Sequence, residues 1–244
     1  MTYCVGISLE QGLVFVSDSR TNAGVDHIAT FRKLHVFGVP GERIIVLQTA
    51  GNLATSQSVI SLLQQRLNGE GVNLNNVPSL YQATTLVSET MREVMARDGN
   101  GVMMQGVDLS CSFIVGGQVN GEAAGLFNIY PQGNFIAATE DTPYFQIGES
   151  KYGKPVLDRS LDNSSSLQHA LLTALISFDS TIRSNLSVGM PLDVLVYNAN
   201  SLQVPNGFRV TQDDPYYQGI RQQWGEALQR TLLELPPAPG QYLG

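Results

Sequence analysis

Four residue types near the start of the chain could do chemistry together: Thr2, Asp18, Lys33 and Gly51. A threonine hydroxyl is a weak nucleophile until a base takes its proton, and a terminal amine with an unperturbed pKa of about 7.7–8.0 can be that base near neutral pH. Thr2 supplies both groups itself once Met1 is removed. While Met1 is attached, the Thr2 nitrogen is an amide with no useful basicity. A cation beside the hydroxyl lowers its pKa, and a carboxylate fixes that cation, roles open to Lys33 and Asp18. The segment "TAGN" puts Ala50 and Gly51 at a strand-to-helix junction, where a free backbone N–H can receive an oxyanion. Each residue also has an ordinary reading: a strand-end lysine in solvent, an aspartate capping the turn "DSRTNAG", a glycine needed only for a tight turn.

These side chains meet only if the strands carry them there. Residues 2–9 and 12–18 are β-branched and aromatic runs separated by "EQG", which reads as a tight hairpin. A turn that short places Thr2 opposite Ser19 or Arg20 and next to Asp18. "KLHVFGV" and "ERIIVLQTA" form a second pair around "PGE", with Lys33 at its start. From Gly51 the apolar period changes to that of helices: Ile60, Leu63 and Leu67 share one face, and Val87, Met91, Val94 and Met95 another. Strand signals return at "LSCSFIVGGQV", "GEAAGLFNIY" and "NFIAAT", joined by the turns "VNG" and "PQG". A helical stripe from Leu167 to Ile182 follows, then the strands "PLDVLVYN" and "NGFRVTQ", and a last amphipathic helix carrying Ile220, Trp224, Leu228 and Leu232. With no linker-like stretch, this order predicts one α+β domain over residues 1–244, ending in a Pro-rich tail at 235–244. Two antiparallel sheets packed face to face with helices outside account for it.

Composition narrows the classes. A net charge of −7 with lysine only at positions 33, 151 and 154 disfavours a nucleic-acid binder. Cys4 and Cys111 lie far apart in apolar runs without metal-ligand spacing, so both read as core thiols and no metal or cofactor is expected. His27, His35 and His169 do not converge on a nucleophile, and Met103 and Met104 read as packing. No apolar run approaches the roughly 20 residues of a membrane span, and the N-terminus lacks the pattern of a secretory signal, so a cytoplasmic protein with no membrane partner is expected.

The spaced motifs "TYCVGI", "GLVFVSDSRTNAG", "KLHV" and "TAGN" resemble proteasome β-type subunits, above all the bacterial Anbu (ancestral beta subunit) branch, in which a threonine directly follows the initiator methionine. The resemblance implies a four-layer αββα N-terminal nucleophile (Ntn) hydrolase fold, with Thr2 as nucleophile and base, Asp18 and Lys33 as its activating pair and the Gly51 N–H as oxyanion donor. It further implies that Arg20 helps order the site and that the backbone at Thr21 and Asn22 holds an extended peptide by strand addition. Family turns that brace the terminal amine correspond to "IGESKYG" and "RSNLSVG", which nominates Ser150 and Ser187, with Ser184 where the family carries an aspartate. The implied activity is peptide hydrolysis on peptide or unfolded-protein substrates inside a ring-like homo-oligomer, an unfoldase partner being left open. A catalytically weak or silent scaffold or peptide-binding subunit of the same fold is the alternative.

Overall fold

The computed structural model describes residues 2–22, 28–100 and 106–242. Its first element is the expected hairpin, β1 (Tyr3–Leu9) and β2 (Gly12–Asp18), in which Leu9 pairs with Gly12 and Cys4 with Ser17. A short ribbon follows, β3 (Arg20–Asn22) against β4 (Ile28–Thr30). The second hairpin is β5 (Leu34–Val39) and β6 (Arg43–Gly51), after which α1 (Leu53–Arg66) and α2 (Leu80–Gly99) begin at the side-chain caps Asn52 and Ser79. Three strands continue the chain, β7 (Cys111–Val119), β8 (Gly125–Ile129) and β9 (Phe135–Ala137), and then β10 (Tyr144–Gly148). Two helices, α3 (Lys154–Ser160) and α4 (Leu167–Ser184), lead to β11 (Leu192–Asn198) and β12 (Phe208–Val210).

The strands form two five-stranded antiparallel sheets, in the orders β10-β1-β2-β11-β12 and β5-β6-β7-β8-β9. Alternation along each strand separates two cores. On β6, Ile44, Val46 and Ala50 face the other sheet and join Cys4, Leu13, Phe15, Ile114 and Leu195 there. Their neighbours Ile45 and Leu47 face the opposite way and pack with Val59, Leu63, Val87, Met91 and Val94 of α1 and α2. On the far side α4 packs on β1 and β2, where the Tyr3 ring lies 4.4 Å from that of Phe178 and its hydroxyl 2.7 Å from Ser177 Oγ. The layers are therefore helix, sheet, sheet, helix, the αββα order that the resemblance implies. Thr2 precedes Tyr3, so by the same alternation it belongs with Cys4 on the sheet-facing side.

Three elements add to the expected order: the β3/β4 ribbon, β10 and the short helix α3. β3 falls in the stretch read as a turn, "DSRTNAG", and β10 alternates half-buried with buried residues only from Tyr144 to Ile147, too short a pattern to stand out in the sequence. Cys4 and Cys111 are buried free thiols, and burial pushes the Cys111 thiol up to about 12. His27, Met103 and Met104 lie outside the described residues. Packing separates the chain into two compact units, Met1–Thr211 and Gln212–Gly244. The second contains α5 (Pro215–Glu234), N-capped by the Asp214 side chain, and a single 3₁₀ turn at Gly240–Tyr242. Among the described residues, no helix is long and apolar enough to cross a membrane.

Candidate active site

The peptide unit joining Thr2 to Tyr3 is held from both sides. Its carbonyl accepts a 2.6 Å hydrogen bond from the Glu149 N–H, and its N–H donates to Asp18 Oδ1 at 3.0 Å. The first contact exists because β10 pairs Gly148 with Tyr3 and then turns. Gly148 sits at φ +82°, and a side chain there would collide with the Thr2 carbonyl. The second exists because the β1/β2 register brings Asp18 across from Tyr3.

Asp18 is 0% and Lys33 3% exposed, and Lys33 Nζ donates to Asp18 Oδ1 and to the Arg20 carbonyl, each at 2.6 Å. The remaining oxygen, Oδ2, faces the Gly189 N–H at 3.4 Å. Burial pushes the Asp18 carboxyl up, against the pull of the Lys33 ammonium and of the Tyr3 and Gly189 amides. A buried ion pair of this kind holds only when further hydrogen bonds satisfy its remaining polar atoms, as the Arg20 carbonyl and these two amides do. The ordinary reading of Lys33 as a solvated strand end is thereby excluded.

Gly51 closes β6 and is exposed. Hydrogen bonds along β6 alternate: Asn52 donates to Ser110 on the β7 side, whereas Thr49 donates to Lys33 on the β5 side. The Gly51 N–H therefore points to the β5 side, where β5 has not yet begun and the chain has turned to bond Phe31 to Ser19. Asn52 caps the start of α1 by accepting from the Thr55 N–H, and the Gly51 N–H, one residue before that cap, is the β6 amide directed to this side. Gly51 sits at φ +103°, with Ser110 and Cys111 against the place a Cβ would occupy. Gly51→Ala is expected to cost roughly 1–3 kcal/mol from backbone strain alone. A melting temperature equal to that of the unaltered protein would show that this junction accepts a side chain.

Thr2, Lys33 and Gly51 line one pocket of about 190 Å³, together with Thr21, Thr49, Leu53 and Ser56. Thr21 Oγ1 is buried there without a hydrogen-bond partner among the described residues. β3 pairs with β4 alone, so its other edge, at Arg20 to Asn22, is unpaired among the described residues. Arg20 reaches past Gly189 to donate to the Leu186 carbonyl at 3.1 Å, tying β3 to the turn between α4 and β11.

Ser150, Ser184 and Ser187 converge around a second pocket of about 530 Å³ on the other side of Gly148. Ser150 and Ser184 are exposed at its rim, and Ser187 donates its N–H to Asn185 Oδ1 at 3.0 Å. Glu149 and Asn185, which sequence reasoning passed over, are central to this pocket. The Glu149 carboxylate is 6% exposed and accepts from the N–H groups of Ser150 and Lys151 at 2.9 and 2.8 Å and from Asn185 Nδ2 at 2.8 Å. Burial opposes its ionisation, but the Lys151 amide, Asn185 and the Ser150 amide together hold the carboxyl below the usual range. The only sequence signal was an acid directly after an apolar strand, "IGES". His169 bonds the Ser160 carbonyl at 2.7 Å, and burial lowers the His35 pKa to about 4. Among the described residues no three His, Cys, Asp or Glu side chains gather as a metal-ligand set.

The proteasome subunit family model matches residues 2–196. No curated protein matches the chain. Solved structures do. The helical assembly of the Anbu complex from Pseudomonas aeruginosa is similar at 64% identity and a TM-score of 0.96, covering 98% of this chain and 99% of that one. Anbu from Yersinia bercovieri is 56% identical with a TM-score of 0.92, over 98% and 99% of the two chains. A Gly-1 mutant of Anbu from Hyphomicrobium sp. strain MC1 is 45% identical with a TM-score of 0.91, over 98% and 100%.

Proposed function

Because the chain belongs to the proteasome subunit family, in its Anbu branch, we propose that it is a threonine hydrolase that cleaves peptide or related amide bonds through an acyl-enzyme on Thr2. The observation that carries this reading is the convergence of Thr2, the buried Lys33–Asp18 pair and the open Gly51 N–H on one pocket.

With Met1 removed, the Thr2 amine takes the proton of its own hydroxyl as Oγ1 attacks the scissile carbonyl carbon. Lys33, fixed by Asp18 and the Arg20 carbonyl, favours the developing alkoxide by its charge. The carbonyl oxygen becomes an oxyanion that the Gly51 N–H receives, a type of contact whose removal costs about 100–1000-fold in rate. The protonated amine then gives its proton to the leaving nitrogen as the C–N bond breaks, leaving an ester on Thr2. Water, deprotonated by the same amine, attacks that ester, and as the bond to Thr2 Oγ1 breaks the amine returns the proton to Oγ1 and the acid leaves. The free β3 edge at Thr21 and Asn22 suits an extended peptide added as a further strand, and Arg20 anchors that edge to the α4–β11 turn. In this reading Ser150 and Ser187 brace the Thr2 amine, and Ser184 stands where the family carries an aspartate.

The same reading takes the whole chain as one domain working in the cytoplasm within a homo-oligomer, supported by the buried free thiols and by the assembly named for the Pseudomonas relative. Intact mass of the purified protein tests the premise: loss of one methionine residue is expected. A protein that keeps Met1 is a silent subunit of the same fold, with no amine base.

A further inference from the structure

The clamp on the Thr2–Tyr3 peptide unit draws its two halves from two acids. Asp18 takes the N–H through its side chain, and Glu149 takes the carbonyl through its backbone N–H. What fixes that backbone N–H is the Glu149 carboxylate, bonded to the next two amides and to Asn185. Asn185 ends α4, donating its N–H to the Thr181 carbonyl at 2.8 Å, and its Oδ1 holds the Ser187 N–H. The same turn then presents the Gly189 N–H to Asp18 and the Leu186 carbonyl to Arg20. A closed circuit results, running from the Thr2 carbonyl through Glu149, Asn185 and the 185–189 turn to Asp18 and back to the Tyr3 N–H.

We propose that Glu149, held by Asn185, is a positioning residue of the Thr2 site. The carboxylate shapes the 148–151 turn so that its N–H fixes the Thr2 carbonyl, and it ties that turn to the segment bearing on Asp18. Ser184, one residue before Asn185, is exposed at the end of α4, so the buried acid on this side of the site comes from the β10 turn instead. In this arrangement the nucleophile's backbone is fixed from the carbonyl side by a glutamate 147 residues away in sequence.

The inference rests on the hydrolase reading for its kinetic arm and on geometry alone for its other arm. The variants are Glu149→Ala, Glu149→Gln and Asn185→Ala, in the full chain. With an electrophilic peptide analogue, Glu149→Ala and Asn185→Ala are expected to slow the limiting rate of Thr2 labelling by about 10–100-fold, since small misplacements of a nucleophile cost that much. The half-saturating analogue concentration should stay unchanged, and Glu149→Gln, which keeps an acceptor for the Ser150 and Lys151 amides but sets an amide donor against Asn185 Nδ2, should slow labelling as Asn185→Ala does. Equal labelling rates in all variants, or a loss confined to half-saturation, would overturn the proposal. Hydrogen-exchange mass spectrometry on peptides covering residues 145–152 is the second arm. The Glu149 amide should exchange about tenfold faster or more in Asn185→Ala, a variant with an unchanged β10, because its carbonyl partner is no longer held in register. Unchanged protection would overturn the proposal even if the wild type never labels, a result that by itself would refute only the hydrolase reading. Should Glu149→Ala not fold, Asn185→Ala decides both arms.

Discussion

Thr2→Ala is expected to abolish covalent labelling by an electrophilic peptide analogue and to reduce peptide hydrolysis by at least about 1000-fold, the scale of loss when a nucleophile is removed. The cause is local: the variant keeps the terminal amine, the Lys33–Asp18 pair and the Gly51 N–H but has no oxygen to form the ester. Stability should hardly change, because Thr2 is only half-buried and the two hydrogen bonds that fix its peptide unit use the Thr2 carbonyl and the Tyr3 N–H rather than the Thr2 side chain. Melting curves should therefore superimpose on those of the wild type while turnover disappears. Labelling that survives in Thr2→Ala would sink the assignment of the nucleophile, and a large drop in melting temperature would mean that the side chain has a structural role.

Asp18→Ala and Lys33→Ala should behave differently, losing activity and stability together. Each leaves its partner charged and buried, which costs about 3–5 kcal/mol. Asp18→Ala carries the further burden of stripping the Tyr3 and Gly189 N–H groups of their acceptor. Replacing both at once, as Asp18→Leu with Lys33→Met, removes the uncompensated charge and should recover part of the lost stability, since apolar pairs of similar volume often substitute for buried ion pairs at little cost. Recovery should stop short of the wild type because the Tyr3 N–H remains orphaned, at about 1–3 kcal/mol. Catalysis should not return at all. Denaturant midpoints for the four proteins check the first part and labelling rates the second. Singles as stable as the wild type would show that the pair is solvated in solution, and a double variant with activity would remove Lys33 and Asp18 from the chemistry.

The sequence disclosed Asp18 and Lys33 because a hairpin with a minimal turn is a counting problem. Leu9 against Gly12 settles the partner of every residue back to Tyr3, and the lysine directly precedes the second hairpin. The two-faced alternation on β6 was similarly visible, since buried residues on both faces leave a continuous apolar run, "IIVL". Glu149 and Asn185 were not visible for the opposite reason. Their contact spans 36 residues, and Glu149 reaches Thr2 only through β10, an element too short to announce itself. Ser150, Ser184 and Ser187 came from correspondence with a family pattern; they line one pocket, whereas the buried acid there, Glu149, sits in the turn after β10 rather than on α4. Gly51 lay between. Its position at a junction was legible, but the identity of the open N–H depended on which β6 amides face β5, a property of sheet register rather than of composition.

The pairing of Leu9 with Gly12 has a further consequence for what this fold can tolerate. A strand turns successive side chains to opposite faces, so adding or deleting one residue within β1 would swing Thr2 from the cleft between the sheets to the side of α4. The loop at Glu10 and Gln11 thus acts as the zero mark of a ruler, with the reactive end at a fixed distance along it. Length in β1 is consequently closed to drift even where side-chain identity is free.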